Sequence, residues 1–233
     1  MLCGVGRQMI MLQEMVGGGT GLYTLREAAT YARIPSRTLS SWFRGDKAME
    51  RVFLGEDDSK IIGFLDFVQT LAVRNLRLHY RIALQKIRDA VERASQDYQL
   101  SHPFARRHTT YYYDQQIWIR LEDESIVQLS GKEHGQKGMV PVIEQFIRDI
   151  SFDPSTKLAA KYRAFHRGKN QIMMNPKMRF GEPILEGCGY TPKALFDAAK
   201  TEGSIEAAAK AYGVSNEQVE ISIEYFDHLL QAA

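Results

Sequence analysis

Arg37, Thr38, Ser41 and Arg44 are the residues in this sequence whose types and spacing point most directly to a chemistry. Guanidinium forks and hydroxyls set at helical spacing can bond phosphate oxygens and base edges in a major groove. Two short helices would have to hold them there. In the stretch Tyr23 to Arg44, Thr24 is a good N-cap, and Glu27 three residues on completes a capping box. Leu25, Ala28, Ala29 and Ala32 make a narrow apolar stripe of small residues, which lets a second helix cross closely. Ile34-Pro35 ends the first helix and Ser36 is expected to cap the next. Leu39, Trp42 and Phe43 then face inward and leave the four polar residues outside, as on a recognition helix. An outward polar face is also what any solvated helix presents, so the pair alone leaves DNA reading and plain packing both open.

The residues that follow favour DNA reading. Arg51-Val52-Phe53-Leu54 reads as a short strand, Gly55 to Ser59 as a turn, and Lys60-Ile61-Ile62 as a returning strand. A helix pair followed by a small hairpin is the plan of a winged helix-turn-helix, expected over residues 20–108. The hairpin tip is acidic and unsuited to phosphate. Arg26, Lys47 and Arg51 are the expected second-line phosphate contacts. Helices with a buried face are predicted over Phe64 to Leu78 and Ile82 to Gln99.

Beyond them the period of the apolar pattern changes to two. Thr110 to Tyr113, Ile117 to Leu121 and Ser125 to Leu129 predict a small antiparallel β-meander, within a segment 109–170. A short helix is predicted over Met139 to Ile150, and an extended segment around Tyr162 to Phe165. Residues 171–233 predict a three-helix module. Thr191-Pro192 starts the first helix, Ser204 caps the second, Gly213 stops it, and Ser215 with Gln218 boxes the third. The spacing again suits a helix-turn-helix. The third helix, however, carries Glu217, Glu220, Glu224 and Asp227 and no cation, so phosphate would repel it. Its apolar positions Val219, Ile223, Phe226, Leu229 and Leu230 are instead candidates for a dimer seam or a partner surface, or for internal core. The fold class expected is α+β, mostly α.

Composition narrows the function. The chain has 233 residues and a net charge of only +2. Residues 20–114 hold 15 Lys/Arg against 11 Asp/Glu, and residues 171–233 hold 5 against 9. A basic front and an acidic back suggest different partners. No apolar run is long enough to span a bilayer. The two cysteines, Cys3 and Cys188, imply no disulfide framework and suit a reducing cytoplasm. Gly17 to Gly19 closes what reads as a flexible leader over residues 1–19. No phosphate loop, nucleophile elbow or metal-ligand spacing is present, so neither an enzyme, nor a cofactor, nor a metal is expected. A small-effector pocket near Trp118, Tyr162 and His166 is the other class of function left open.

The C-terminal module resembles the short VapB-like antitoxin domain. The likeness rests on Asn175-Pro176, Phe180 to Ile184, Thr191-Pro192, Leu195, Gly203 to Glu206, Tyr212 to Ser215, Gln218-Val219 and Ile223 to Tyr225. Gly187-Cys188-Gly189-Tyr190 stands where that domain usually has Gly-Thr-Arg and a hydrophobic residue, so the arginine is missing. The N-terminal part is similar to a MerR-like winged reader through Ser36 to Leu39, Trp42 and Leu84 to Arg88. The resemblance implies a type II antitoxin. It would neutralise a PIN-like ribonuclease toxin and, as a homodimer, repress its own operon on double-stranded DNA. A MerR-like regulator that senses a small effector is the alternative.

Overall fold

Thr24 starts the first helix as its sequence requires. Its hydroxyl accepts the Glu27 N–H at 3.2 Å while the Glu27 carboxylate accepts the Thr24 N–H at 2.9 Å. In this computed structural model the described residues are 21–44, 52, 61–107, 110–113, 116–120, 126–129, 140–141 and 148–230. The leader expected over residues 1–19 lies outside them. The chain divides into two compact units, one over residues 23–159 and one built mainly from residues 160–233.

In the first unit, strand β1 (Leu22–Thr24) leads into helix α1 (Leu25–Ala32). Arg33 ends α1 in the left-handed region at φ 53°, and the Ile34 N–H reaches back to the Ala29 carbonyl at 3.0 Å. Helix α2 runs Ser36–Arg44. Ser36 is thus its first residue rather than its cap, and the Leu39 N–H bonds to the Pro35 carbonyl at 3.1 Å. Strand β2 (Ile61–Gly63) appears where a returning strand was expected, but it pairs with β1. The strand expected over Arg51 to Leu54 lies outside the described residues except for Val52, which is a bend held by the Trp42 carbonyl.

Helix α3 (Phe64–Leu78) buries Phe67, Val68, Leu71 and Leu76. Its Phe67 ring meets Tyr23 at 5.1 Å. Burial, with help from Tyr31, pushes the Tyr23 hydroxyl far above its ordinary pKa. Helix α4 (Leu84–Asp97) starts later than expected because Ile82 is used as a buried plug, its carbonyl bonded by Arg77.

The meander forms as expected: β3 (Thr110–Tyr113), β4 (Gln116–Arg120) and β5 (Ile126–Gln128) run antiparallel, with Tyr112 opposite Ile117 and Trp118 opposite Gln128. The helix expected over Met139 to Ile150 is corrected at both ends. Val140–Pro141 (β6) pairs with β3 at the sheet edge, where a proline is tolerated, and Ile150–Phe152 (β7) is a strand. Residues 142–147 lie outside the described residues.

The second unit opens with β8 (Ala159–Arg167) and β9 (Asn170–Met174), a hairpin with a bulge between Arg163 and Phe165. Strand β10 (Pro183–Leu185) lies on the other side of β9. β8 pairs with β9, and this unit takes in residues from Ala160 on, where the sequence suggests a module from Gln171. Between β9 and β10 a short 3-10 turn, Arg179–Gly181, holds Arg179 at φ 45° and Phe180 at φ 54°. Left-handed backbone costs a residue with a side chain about 1–2 kcal/mol, so this turn is strained. Helices α5 (Pro192–Glu202), α6 (Ile205–Tyr212) and α7 (Asn216–Leu230) follow with the caps the sequence predicts. Thr191 and Ser204 accept N–H groups of Ala194 and Ala207, and Ser215 and Gln218 bond each other reciprocally. The three helices close on Ala198, Ala208, Ala209 and Val219. The whole is a mixed helix-and-sheet chain with small antiparallel sheets, and no helix among the described residues is long and apolar enough to cross a membrane.

Candidate nucleic-acid interface

Helix α2 is packed on one side only. Leu39 is fully buried and Trp42 nearly so, and α2 packs against α1, whose Ala28, Ala29 and Ala32 are buried as well. Phe43 is half-buried. Arg37, Ser41 and Arg44 stand at i, i+4 and i+7, which places them on one face opposite that core. Arg37 and Arg44 are exposed, and Thr38 and Ser41 are half-buried on the flank. Among the described residues no carboxylate pairs with Arg26, Arg37 or Arg44.

The four side chains differ in what they can offer. The two guanidinium groups are permanent donors that fit phosphate or the O6/N7 edge of guanine. The Ser41 hydroxyl already donates to the Thr38 carbonyl at 2.8 Å. Its oxygen is left as an acceptor, better matched to an exocyclic amine than to a phosphate. Arg26 is exposed on α1 and lies outside the α2 stripe. Lys47 and Arg51, the other expected phosphate contacts, lie outside the described residues.

The partner surface expected on the third C-terminal helix needs correction. Val219 is completely buried and belongs to the core of its own three-helix module. Leu229 is buried as well. Ile223 packs partly against that core, and Phe226 stacks on Phe196 at 4.8 Å. Only Leu230 is strongly exposed, at 68%. The acidic face beside them is partly neutralised from within. Arg167 on β8 bonds Glu220 at 2.9 Å and Glu224 at 2.8 Å. Sequence reading missed this clamp because its partners are more than fifty residues apart. The Ser215 hydroxyl, ahead of backbone N–H and Arg167, holds the Glu217 carboxyl below its ordinary pKa.

Trp118, Tyr162 and His166 fall on β4 and β8, Trp118 in one unit and the other two in the second. Trp118 is buried, Tyr162 half-buried and His166 exposed. Sequence reading also missed Arg88. It is only 8% exposed, and its guanidinium has one acceptor, Gln85 Oε1 at 3.3 Å, with Nε and Nη2 buried and unbonded. No group of His, Cys, Asp and Glu suited to a metal occurs among the described residues.

No family model matches the chain. The chain is 22% identical over 223 residues to a Mycobacterium tuberculosis protein named "Putative antitoxin VapB45", across 87% of this chain and 92% of that protein. Its fold is similar to the crystal structure of Rv2018 from Mycobacterium tuberculosis, with a TM-score of 0.62 over 87% of this chain and 97% of that one at 17% identity. At that identity the structural likeness speaks for the fold alone. The sequence likeness makes the chain a distant relative of a protein named as a VapB antitoxin.

Proposed function

We propose that this chain is the antitoxin of a type II toxin–antitoxin pair: a non-enzymatic regulator that binds a cognate toxin and, as a homodimer, represses its own operon. The full-length likeness to a protein named as an antitoxin carries the reading. The toxin is taken to be a PIN-like ribonuclease from the resemblance of the C-terminal module. The DNA-binding part is α1 with α2, read as a helix-turn-helix whose α2 enters the major groove. Arg37 and Arg44 contact guanine edges or phosphate, Thr38 and Ser41 contact base edges, and Arg26 contacts phosphate, with Lys47 and Arg51 as further phosphate contacts. The burial pattern of α2 supports this, since Leu39 and Trp42 are buried while Arg37 and Arg44 are exposed and, among the described residues, in no ion pair.

The test is a salt-controlled titration of the chain against DNA from upstream of its own gene. Arg37→Ala is expected to weaken binding by about 1–3 kcal/mol and to relax sequence preference at one position. Undiminished binding by that variant removes α2 as the reading helix. Co-purification with the protein of the adjacent reading frame tests the toxin half separately.

One observation favours a second reading, that of a regulator sensing a small anion. The buried, half-satisfied guanidinium of Arg88 has no carboxylate beside it among the described residues. Buried charges ordinarily have a counter-charge.

A further inference from the structure

Between β9 and β10 the chain places Lys177, Met178, Arg179 and Phe180 in succession, all exposed. Phe180 is 68% exposed and Met178 46%. Isolated apolar side chains are ordinary on a soluble surface, but large ones gathered on one turn mark a contact surface. The backbone adds to this. Arg179 and Phe180 both occupy the left-handed region, where only the following Gly181 fits without strain. The Phe180 ring, largely in water, contributes little packing to its own fold in return for that strain. Strain of this kind is retained at ligand and partner contacts.

The turn borders a groove. Met178 lines it together with Lys161, Met173 from β9, Ile184 from β10, and Glu186. Methionine linings adapt to varied apolar shapes. Lys161 and Glu186 line the groove, and the turn beside it adds exposed Lys177 and Arg179 against exposed Glu182, three cations to two carboxylates. The carboxylates work against a phosphate backbone. A mixed set with one cation in excess suits a protein surface that carries both signs and offers a carboxylate to Arg179.

We propose that the Lys177–Phe180 turn and the groove beside it form the docking site for the partner protein. The inference rests on the antitoxin reading and deepens it. Phe180 is the apolar anchor, filling a socket on the partner. Arg179 pairs with a carboxylate at the rim of that socket. Central aromatic and arginine side chains are the residues that most often dominate such interfaces.

The experiment uses the full-length chain with the purified protein of the adjacent reading frame, and two separate variants, Phe180→Gly and Arg179→Glu. Glycine relieves the left-handed strain, so Phe180→Gly is expected to keep or raise Tm while partner affinity falls at least tenfold. Arg179→Glu is expected to lower affinity by a similar factor. Both variants should bind operator DNA as the wild type does. If the wild type binds no such protein, the antitoxin reading fails and the docking site fails with it. If the wild type binds and both variants bind equally well, the docking site alone is overturned. A fall in Tm with Phe180→Gly would make the ring a support of the fold and would also overturn it. So would a change confined to the mass of the chain alone in light scattering, or to affinity for a single-stranded RNA oligonucleotide. Those results would assign the surface to a second copy or to RNA.

Discussion

A side chain reports on function mainly through what it is denied. Among the described residues, no acid pairs with the exposed Arg37 and Arg44 or with the buried Arg88. The exposed arginines could be located in the sequence, because helical spacing alone sets Arg37, Ser41 and Arg44 opposite Leu39 and Trp42. Arg88 could not. In sequence it sits in a charged run with Lys86 and Asp89, and that pattern predicts a solvated face. The prediction at this scale concerns Arg88→Met. If its charge meets no ligand, replacing it with an apolar group of similar length should be neutral or stabilising by up to about 3 kcal/mol. Operator affinity should then be unchanged and indifferent to small carboxylates and phosphates. Chemical denaturation and the DNA titration together decide the matter. An operator affinity that responds to such an anion in the wild type, and no longer responds in Arg88→Met, would favour the sensing reading over the antitoxin.

Elements were legible in proportion to how local their determinants are. The three C-terminal helices begin at the expected caps and the first two end at Gly203 and Gly213, because a capping box or a left-handed glycine is decided within four residues. Gly213 is the clearest case. It closes α6 at φ 63°, its N–H bonds the Lys210 carbonyl, and a Cβ added there would meet nothing within 4 Å. Space is therefore not the issue and only backbone strain remains. Gly213→Ala should destabilise the chain by about 1–2 kcal/mol in urea denaturation, and Gly213→Asn by clearly less, since asparagine tolerates this region. Equal losses for both would mean that something other than the left-handed cap is at stake. Strand partners were less legible. The return strand was anticipated at Ile61 and Ile62, but its pairing with Leu22–Thr24 joins residues about forty apart. The segment from Met139 to Ile150 read as helix, although Val140 and Pro141 are held at the edge of β3. For Val219 the sequence leaves a partner surface and internal core both open, because helical period marks an apolar face without saying what covers it; α5 and α6 do.

For the whole molecule, the uneven charge along the chain becomes a statement about salt. Net charge is only +2, so the DNA binding proposed above cannot rest on a diffuse positive field. It has to come from a few placed cations in the first unit. The acidic helix α7, partly tied up by Arg167, should contribute nothing. Counterion release turns that into a number: log K falls with log salt at a slope of about −0.9 per phosphate neutralised. Arg44→Ala should therefore make the slope shallower by about 1 for each protomer on the DNA. A homodimer on a two-fold operator would show about twice that change. Glu224→Gln, in the second unit, should leave the slope alone although it removes a charge of the same size. The comparison separates a local phosphate contact from bulk charge, since bulk charge would move the two slopes by similar amounts in opposite directions. An unchanged slope in Arg44→Ala, or an equal and opposite shift in Glu224→Gln, would mean that α2 does not lie against the phosphate backbone. The case for repression would then have to be rebuilt on another face of the chain.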